Sequence, residues 1–245
     1  MSTAIIVQAR MASTRLPGKI LKTVLDKTLL EYQLERLQRV KFVDKIVIAT
    51  TDHGAEQPIV DLCRSLGVDY FRGSESDVLA RYYEAATEFG AETVVRITSD
   101  CPLIDPAVVD RVIEFHLKNR DKYDYVSNTF PKLTYPRGMD TEVFSYQTLQ
   151  EAYQEAVDQP EREHVTIFIK RRPERYRIKN LPYHIDVSGF RWTVDTPEDF
   201  ELIERIITEL YPGKPDFTLE NCLKLMIKYP EWAGINGEVQ QKLVK

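Results

Sequence analysis

The residues with the clearest chemical potential run from position 8 to 19: Gln8-Ala9-Arg10-Met11-Ala12-Ser13-Thr14-Arg15-Leu16-Pro17-Gly18-Lys19. Three fixed cations (Arg10, Arg15, Lys19) and two hydroxyls (Ser13, Thr14) share a stretch turned by Pro17-Gly18. Arginine offers phosphate oxygens a planar fork and lysine a compact point charge. The stretch follows Ala4-Ile5-Ile6-Val7, an apolar, β-branched run too short for a helix, which reads as a buried first strand. A cationic, hydroxyl-bearing loop at the carboxyl end of a strand is suited to holding phosphates. It contains neither G-x-G-x-x-G nor G-x-x-x-x-G-K-[ST], so it is neither a dinucleotide fingerprint nor a Walker loop.

Two carboxylates could complement this loop. Asp100 lies in Thr98-Ser99-Asp100-Cys101-Pro102-Leu103-Ile104, and Asp195 in Val194-Asp195-Thr196-Pro197-Glu198-Asp199. Each has a bland reading: Asp100 as a turn former near proline, Asp195 as a helix N-cap. Together with the cations they read as hard oxygen ligands for Mg²⁺, which takes one or two carboxylates and leaves its other positions to phosphates and water.

The elements that must position these groups alternate. Helices are expected at Thr28 to Val40, Ala55 to Leu66 (stopped by Gly67), Asp77 to Phe89 and Pro106 to Asn119. Strands are expected at Lys45 to Thr50, Val68 to Phe71 and Thr93 to Thr98. Repeated βα units imply an α/β protein with a mostly parallel, three-layer sheet, whose ligands bind beyond the carboxyl ends of the strands. After Tyr123 the rhythm changes. A strand at Tyr125 to Asn128 leads into residues 129–190, read as an insertion over the active-site face of a single domain spanning 1–245. Within it, helices are expected at 145–157 and 161–171, and a strand at Tyr176 to Leu181. Phe190 to Val194 should return as a strand, Asp195 to Asp199 should cap a helix carrying Phe200, Ile203, Ile207 and Leu210, and 218–245 should form a short helical tail.

Bulk properties exclude several classes. The chain has 245 residues, is 43% hydrophobic and 29% charged, and carries a net charge of -5, which argues against a general nucleic-acid binder. Its three cysteines (Cys63, Cys101, Cys222) are scattered, with no zinc-like spacing, and fit a reducing compartment. No apolar run approaches a membrane span, and Met1-Ser2-Thr3 carries no basic n-region, so the expectation is a cytoplasmic protein without a signal peptide.

The loop A-R-x-x-S-T-R-L-P-G-K resembles the N-terminal signature of the sugar cytidylyltransferases, which include CMP-Kdo synthetases and acylneuraminate cytidylyltransferases. The Gln8-Ala9-Arg10-Met11 variant is most similar to the branch named for spore coat polysaccharide biosynthesis protein SpsF. The resemblance runs in family order from residue 4 to about 210 and takes in both aspartate motifs. It implies a Rossmann-like, GT-A-like nucleotidyltransferase fold that activates a sugar with CTP and Mg²⁺ and releases pyrophosphate, working as a homodimer in polysaccharide or surface-glycan synthesis. It makes Asp100 and Asp195 the metal ligands and Arg10, Arg15 and Lys19 the catalytic cations. Nucleotide contacts are then expected from Gln8, Ala9, Arg10, Met11, Ser13, Thr14, Arg15, Lys19, Asp77, Arg81 and Thr98. Asp77 and Arg81 lie on one helix face, where the plainer alternative is a surface ion pair. An acceptor pocket is expected from Arg137, Gly138, Asp140 and Glu142, with Glu163 and His164 beside it. CMP-Kdo synthetases carry Gln-Gly-Asp-Glu-Pro where this chain has Thr98-Ser99-Asp100-Cys101-Pro102, which leaves the metal ligand intact and the choice of base open. Two other readings stand: a GT-A-type glycosyltransferase, disfavoured because Ser99-Asp100-Cys101 is not Asp-x-Asp, and a non-catalytic nucleotide or sugar binder, disfavoured by retention of both aspartates.

Overall fold

Alternation along the first strand sets the layers. In a computed structural model, which describes residues 2–241, β1 is Thr3–Gln8. Its Ala4 and Ile6 enter one core and its Ile5 and Val7 the opposite one. A strand buried on both faces needs cover on both, and helices supply it. The chain continues through a short hairpin, β2 (Thr23–Val24) and β3 (Lys27–Thr28), into α1 (Leu29–Leu37). Then follow β4 (Lys45–Thr51), α2 (Gln57–Leu66), β5 (Asp69–Gly73), α3 (Val78–Glu88), β6 (Thr93–Thr98) and α4 (Pro106–Lys118). The second half supplies β7 (Tyr125–Ser127), β8 (Glu142–Ser145), α5 (Tyr146–Glu155), α6 (Gln159–Glu163), α7 (Ile167–Lys170), β9 (Ile178–Asn180), α8 (Pro197–Leu210) and α9 (Leu219–Lys228).

The main sheet has the order β5-β4-β1-β6-β8-β7-β9. β8 is antiparallel to both of its neighbours, and every other pairing in this sheet is parallel. α1, α2 and α4 pack with Ile5 and Val7 on one side, while α3, α5 and α7 pack with Ala4 and Ile6 on the other. The chain leaves β1 toward β4 and β5, then crosses back to β6 on the other side of β1. The strand order therefore reverses between β1 and β6, where open α/β sheets bind their ligands. A third core lies apart from these two, built from α8, α9, Leu29, Tyr32, Met139, Trp192 and Val194.

Four expectations need correction. Residues 129–190 do not simply lie over the sheet: β8 and β9 are strands of it. β8 was hidden because it begins with charged Glu142, yet Val143 and Phe144 enter opposite cores as a doubly covered strand requires. Phe190 to Val194 forms no strand, only a single parallel bridge between Arg137 and Arg191. The helix expected at 161–171 is broken into α6 and α7 at Val165, whose φ of +48° no helix accommodates. The cap of α8 is Thr196, which accepts from the Asp199 amide at 3.3 Å while the Asp199 carboxylate accepts from the Thr196 amide. Asp195 is thereby free of the capping role.

Candidate active site

The loop after β1 is shaped by its own backbone. Gly18 donates to the Met11 carbonyl at 3.1 Å and sits at φ +64°, a left-handed conformation that favours glycine. Buried Glu56 accepts from the Met11 amide at 2.8 Å and from Thr50 at 3.1 Å, tying the loop to β4. The hydroxyl of Ser13 accepts from the Leu16 amide at 3.3 Å.

The end of β6 is braced from behind. Gln33 of α1, fully buried, donates to the Thr98 and Cys101 carbonyls at 2.7 and 3.3 Å and fixes the turn between them. The Asp100 carbonyl accepts from the Val194 amide at 2.9 Å, which draws the Asp195 segment alongside. Both aspartates consequently converge on Lys19, with the ammonium 3.4 Å from Asp100 and 2.7 Å from Asp195. Arg15 reaches Asp195 at 3.0 Å, and Arg191 at 2.6 Å. Arg191 is itself held by Asp199 at 3.0 Å. Sequence reasoning missed Arg191, although an arginine four residues before an aspartate is a visible signal.

Charge pairing outweighs burial here. Burial alone would lower the Lys19 pKa, but the Asp100 and Asp195 carboxylates raise it above the usual lysine value. Burial would raise Asp195, yet Lys19, Arg15 and Arg191 hold it below the usual carboxylate range. Lys19 is therefore a fixed cation and Asp195 a fixed anion at neutral pH.

These groups line a cleft of about 850 Å³ at the switch point. Of the expected nucleotide residues, Gln8, Ala9, Arg10, Met11, Ser13, Thr14, Arg15 and Lys19 line it from β1 and its loop. Thr98 lines it from the end of β6 and Asp100 from the turn that follows, Arg81 from α3, and Asp195 from the segment before α8. Glu163 and His164 form part of the far wall, joined by Gln159, which sequence reasoning overlooked by starting α6 two residues late. Burial lowers the His164 pKa below the ordinary imidazole value, against the pull of the Glu163 charge.

Five expected residues do not line the cleft. Asp77 caps α3 by accepting from the Ala80 amide at 2.9 Å and pairs with Arg162 of α6 at 2.9 Å, so it forms no pair with Arg81. Arg81 is buried and donates to the Ser74 carbonyl at 2.8 Å, while its Nε has no partner. Glu142 is buried because β8 pairing sets it opposite Arg96. It also accepts from Lys170, Tyr125 and Thr166. Gly138, at φ +104°, lets the chain pass so close to Trp192 that a Cβ would stand 2.7 Å from its carbonyl oxygen. Arg137 and Asp140 face each other at 3.9 Å. Asp140 is half-buried, its Oδ1 has no partner, and burial pushes its pKa to about 6.

A cationic loop and two convergent carboxylates at the switch point of a doubly covered sheet form the kind of site a nucleotide-dependent transferase requires. The comparisons agree. Residues 4–225 match the cytidylyltransferase family, and the chain belongs to it. It is 32% identical to spore coat polysaccharide biosynthesis protein SpsF of Bacillus subtilis over 235 residues, 93% of this chain and 95% of that protein. A solved cytidylyltransferase from Leptospira borgpetersenii superposes with a TM-score of 0.91 at 32% identity, covering 99% of both chains. CMP:2-keto-3-deoxy-manno-octonic acid synthetase, solved with CTP, shares the fold with a TM-score of 0.65 at 20% identity, over 85% of this chain and 99% of that one. The protein is thus a nucleotidyltransferase by family.

Proposed function

We propose that the protein transfers the cytidylyl group of CTP to a sugar hydroxyl in a divalent-cation-dependent reaction that releases pyrophosphate. The observation that carries this reading is the Lys19 ammonium seated between Asp100 and Asp195. Two carboxylates aimed at one compact cation are hard oxygen donors converging on one point, which fits Mg²⁺ completed by phosphate oxygens and water. A divalent ion there would neutralise triphosphate charge and orient the α-phosphate. Arg15 and Lys19, which hold Asp195, are the donors a triphosphate would also engage, together with Arg10 and the Ser13 hydroxyl. Gln8, Ala9, Met11, Thr14, Arg81 and Thr98 would surround the nucleoside, while Asp77 would act indirectly by fixing the start of α3. The acceptor hydroxyl oxygen attacks the α-phosphorus and gives up its proton to solvent, and the bond to pyrophosphate breaks in line. Positioning and charge neutralisation account for most of the rate.

The test is pyrophosphate release from purified protein with CTP, Mg²⁺ and a panel of sugars. We expect release with CTP in preference to ATP, GTP or UTP, loss on chelation, and recovery when Mg²⁺ is returned. Absence of release with every nucleotide, with or without metal, would refute the proposal. By the same family logic we place the product in surface-polysaccharide synthesis in the cytoplasm and the protein in a homodimer formed through residues 129–190. Sedimentation at micromolar concentration tests the dimer, and a monomer there refutes it.

A further inference from the structure

Gln8 is the last residue of β1, half-buried, and lines the cleft. Its side-chain oxygen accepts from Arg96 Nη2 at 3.1 Å. Arg96 comes from β6 and is not part of the cleft lining. A guanidinium carries donors and no acceptor, so the end of the Gln8 amide that faces it must be the carbonyl. The Gln8 Nε2 is thereby turned the other way, and it donates to no other described residue. Arg96 is itself held in place. Its Nη1 donates to Glu142, a buried carboxylate that also accepts from Lys170, Tyr125 and Thr166. Burial would raise the Glu142 pKa, yet Lys170 and Arg96 hold it below the usual carboxylate range, so Arg96 faces a fixed anion. The groups around Gln8 are engaged or apolar. Thr98, opposite Gln8 in register, donates its hydroxyl to Asp100 at 2.6 Å, and Ala9 has no polar side chain. The cations suited to phosphates, Arg10, Arg15 and Lys19, come from the loop beyond the strand.

We infer that Arg96 is a positioning residue that fixes Gln8 as a hydrogen-bond donor to an oxygen of the nucleoside, either the pyrimidine carbonyl or a ribose hydroxyl. This deepens the nucleotidyl-transfer reading and rests on it. An amide free to rotate can meet a donor or an acceptor. One pinned through its oxygen offers only N–H, so it pairs with an acceptor and rejects the amino group of cytosine. Pinning also spares the ligand the entropy of ordering that side chain.

The experiment uses the full-length chain with Mg²⁺ and two variants, Gln8→Glu and Arg96→Lys, alone and combined. Gln8→Glu keeps the side-chain length and an oxygen for Arg96 but removes both N–H groups. Arg96→Lys keeps a positive charge for Glu142 but loses the fork that also reaches Gln8. Calorimetry measures affinity for CTP, for 2′,3′-dideoxy-CTP and for inorganic tripolyphosphate, which carries phosphates without a nucleoside. A natural protein that binds no CTP refutes the nucleotidyl-transfer reading itself, before any variant is compared. We expect Gln8→Glu to melt no lower than the natural protein and to lose CTP affinity by about threefold to tenfold, the scale of one hydrogen bond. Its affinity for tripolyphosphate should fall by less, which separates loss of the donor from repulsion of phosphate by the new carboxylate. Arg96→Lys should weaken CTP similarly and add no further loss in the Gln8→Glu background, a coupling that a general structural role would not produce. A penalty that vanishes with the dideoxy nucleotide assigns a ribose hydroxyl, and one that persists assigns the pyrimidine carbonyl. Should Arg96→Lys fail to fold, Gln8→Glu carries the test. Unchanged CTP affinity in Gln8→Glu, an equal loss for tripolyphosphate, or full additivity of the two variants would overturn the inference.

Discussion

Lys19 is the residue on which the site turns, because removing its ammonium leaves Asp100 and Asp195 facing one another with only the two arginines beside Asp195. Lys19→Ala is expected to lower kcat/KM for CTP by about 100-fold to 1,000-fold, the scale of losing a preorganised charge donor to the reacting group. Steady-state pyrophosphate release measures it, and a loss under tenfold would refute the assignment. The same ion cluster has a pH signature. The Asp195 pKa is depressed, so its contribution to stability is present above the ordinary carboxylate pKa of about 4 and is lost as pH falls through the lower folded value. Asp195→Asn should therefore melt below the natural protein at pH 7, with the difference shrinking at pH 3. Asp140 has the opposite sign. Its pKa near 6 means that the ionised form is disfavoured in the fold, so stability rises as pH falls from about 6 toward 4. Asp140→Asn should be more stable than the natural protein at pH 7.5, by about 1 kcal/mol after allowing for its partial exposure, and the gain should vanish by pH 4. Chemical denaturation at the two pH values checks this.

At the scale of elements, β8 is held by its first residue. Glu142 joins Arg96 of β6, Tyr125 of β7, and Thr166 and Lys170 at α7, and Arg96 passes the connection to Gln8 in the cleft at 3.1 Å. Glu142→Ala would strand two cations in a buried site, at a cost of about 3–5 kcal/mol read by urea denaturation. Loss under 1 kcal/mol would show that the network is dispensable. β8 also marks where periodicity stopped being informative. β1, β4, β5 and β6 and the helices α1 to α4 were readable because apolar runs and 3.6-residue spacing repeat there with glycine and proline stops, whereas the two-residue strands β2 and β3 are too short to leave a pattern. β8 combines one charged residue with a doubly buried pair, and α6–α7 is interrupted by backbone strain at Val165; neither leaves a periodic trace.

For the whole molecule, the third core decides where Asp195 stands. α8 and α9 pack on Trp192 and Val194 in a core separate from the two that cover the sheet. Buried Arg36 of α1 clamps the region by donating to the Ile104 and Phe217 carbonyls, both at 2.7 Å. Ile206→Ala, at a fully buried position of α8, should cost about 2–5 kcal/mol and weaken metal-dependent CTP binding although it is no part of the cleft. Calorimetry of CTP binding with and without Mg²⁺ at a temperature where the variant is folded tests that coupling, and unchanged binding would sink it.

The sequence by itself determined the βα order, the cationic loop at the end of β1 and the two aspartate motifs. Each is written in contiguous residues, where a strand end, a turn and a charge are neighbours in the chain. The tertiary structure alone decided what faces what. It brought Lys19 between carboxylates from positions 100 and 195, buried Glu142 inside the sheet, and left Arg137 outside the cleft that Glu163 and His164 line. Those outcomes depend on strand order, on the left-handed passage at Gly138 and on the packing of a separate C-terminal core. Long-range pairing of this kind is fixed by the free energy of the whole packed arrangement, which no local stretch of residues encodes.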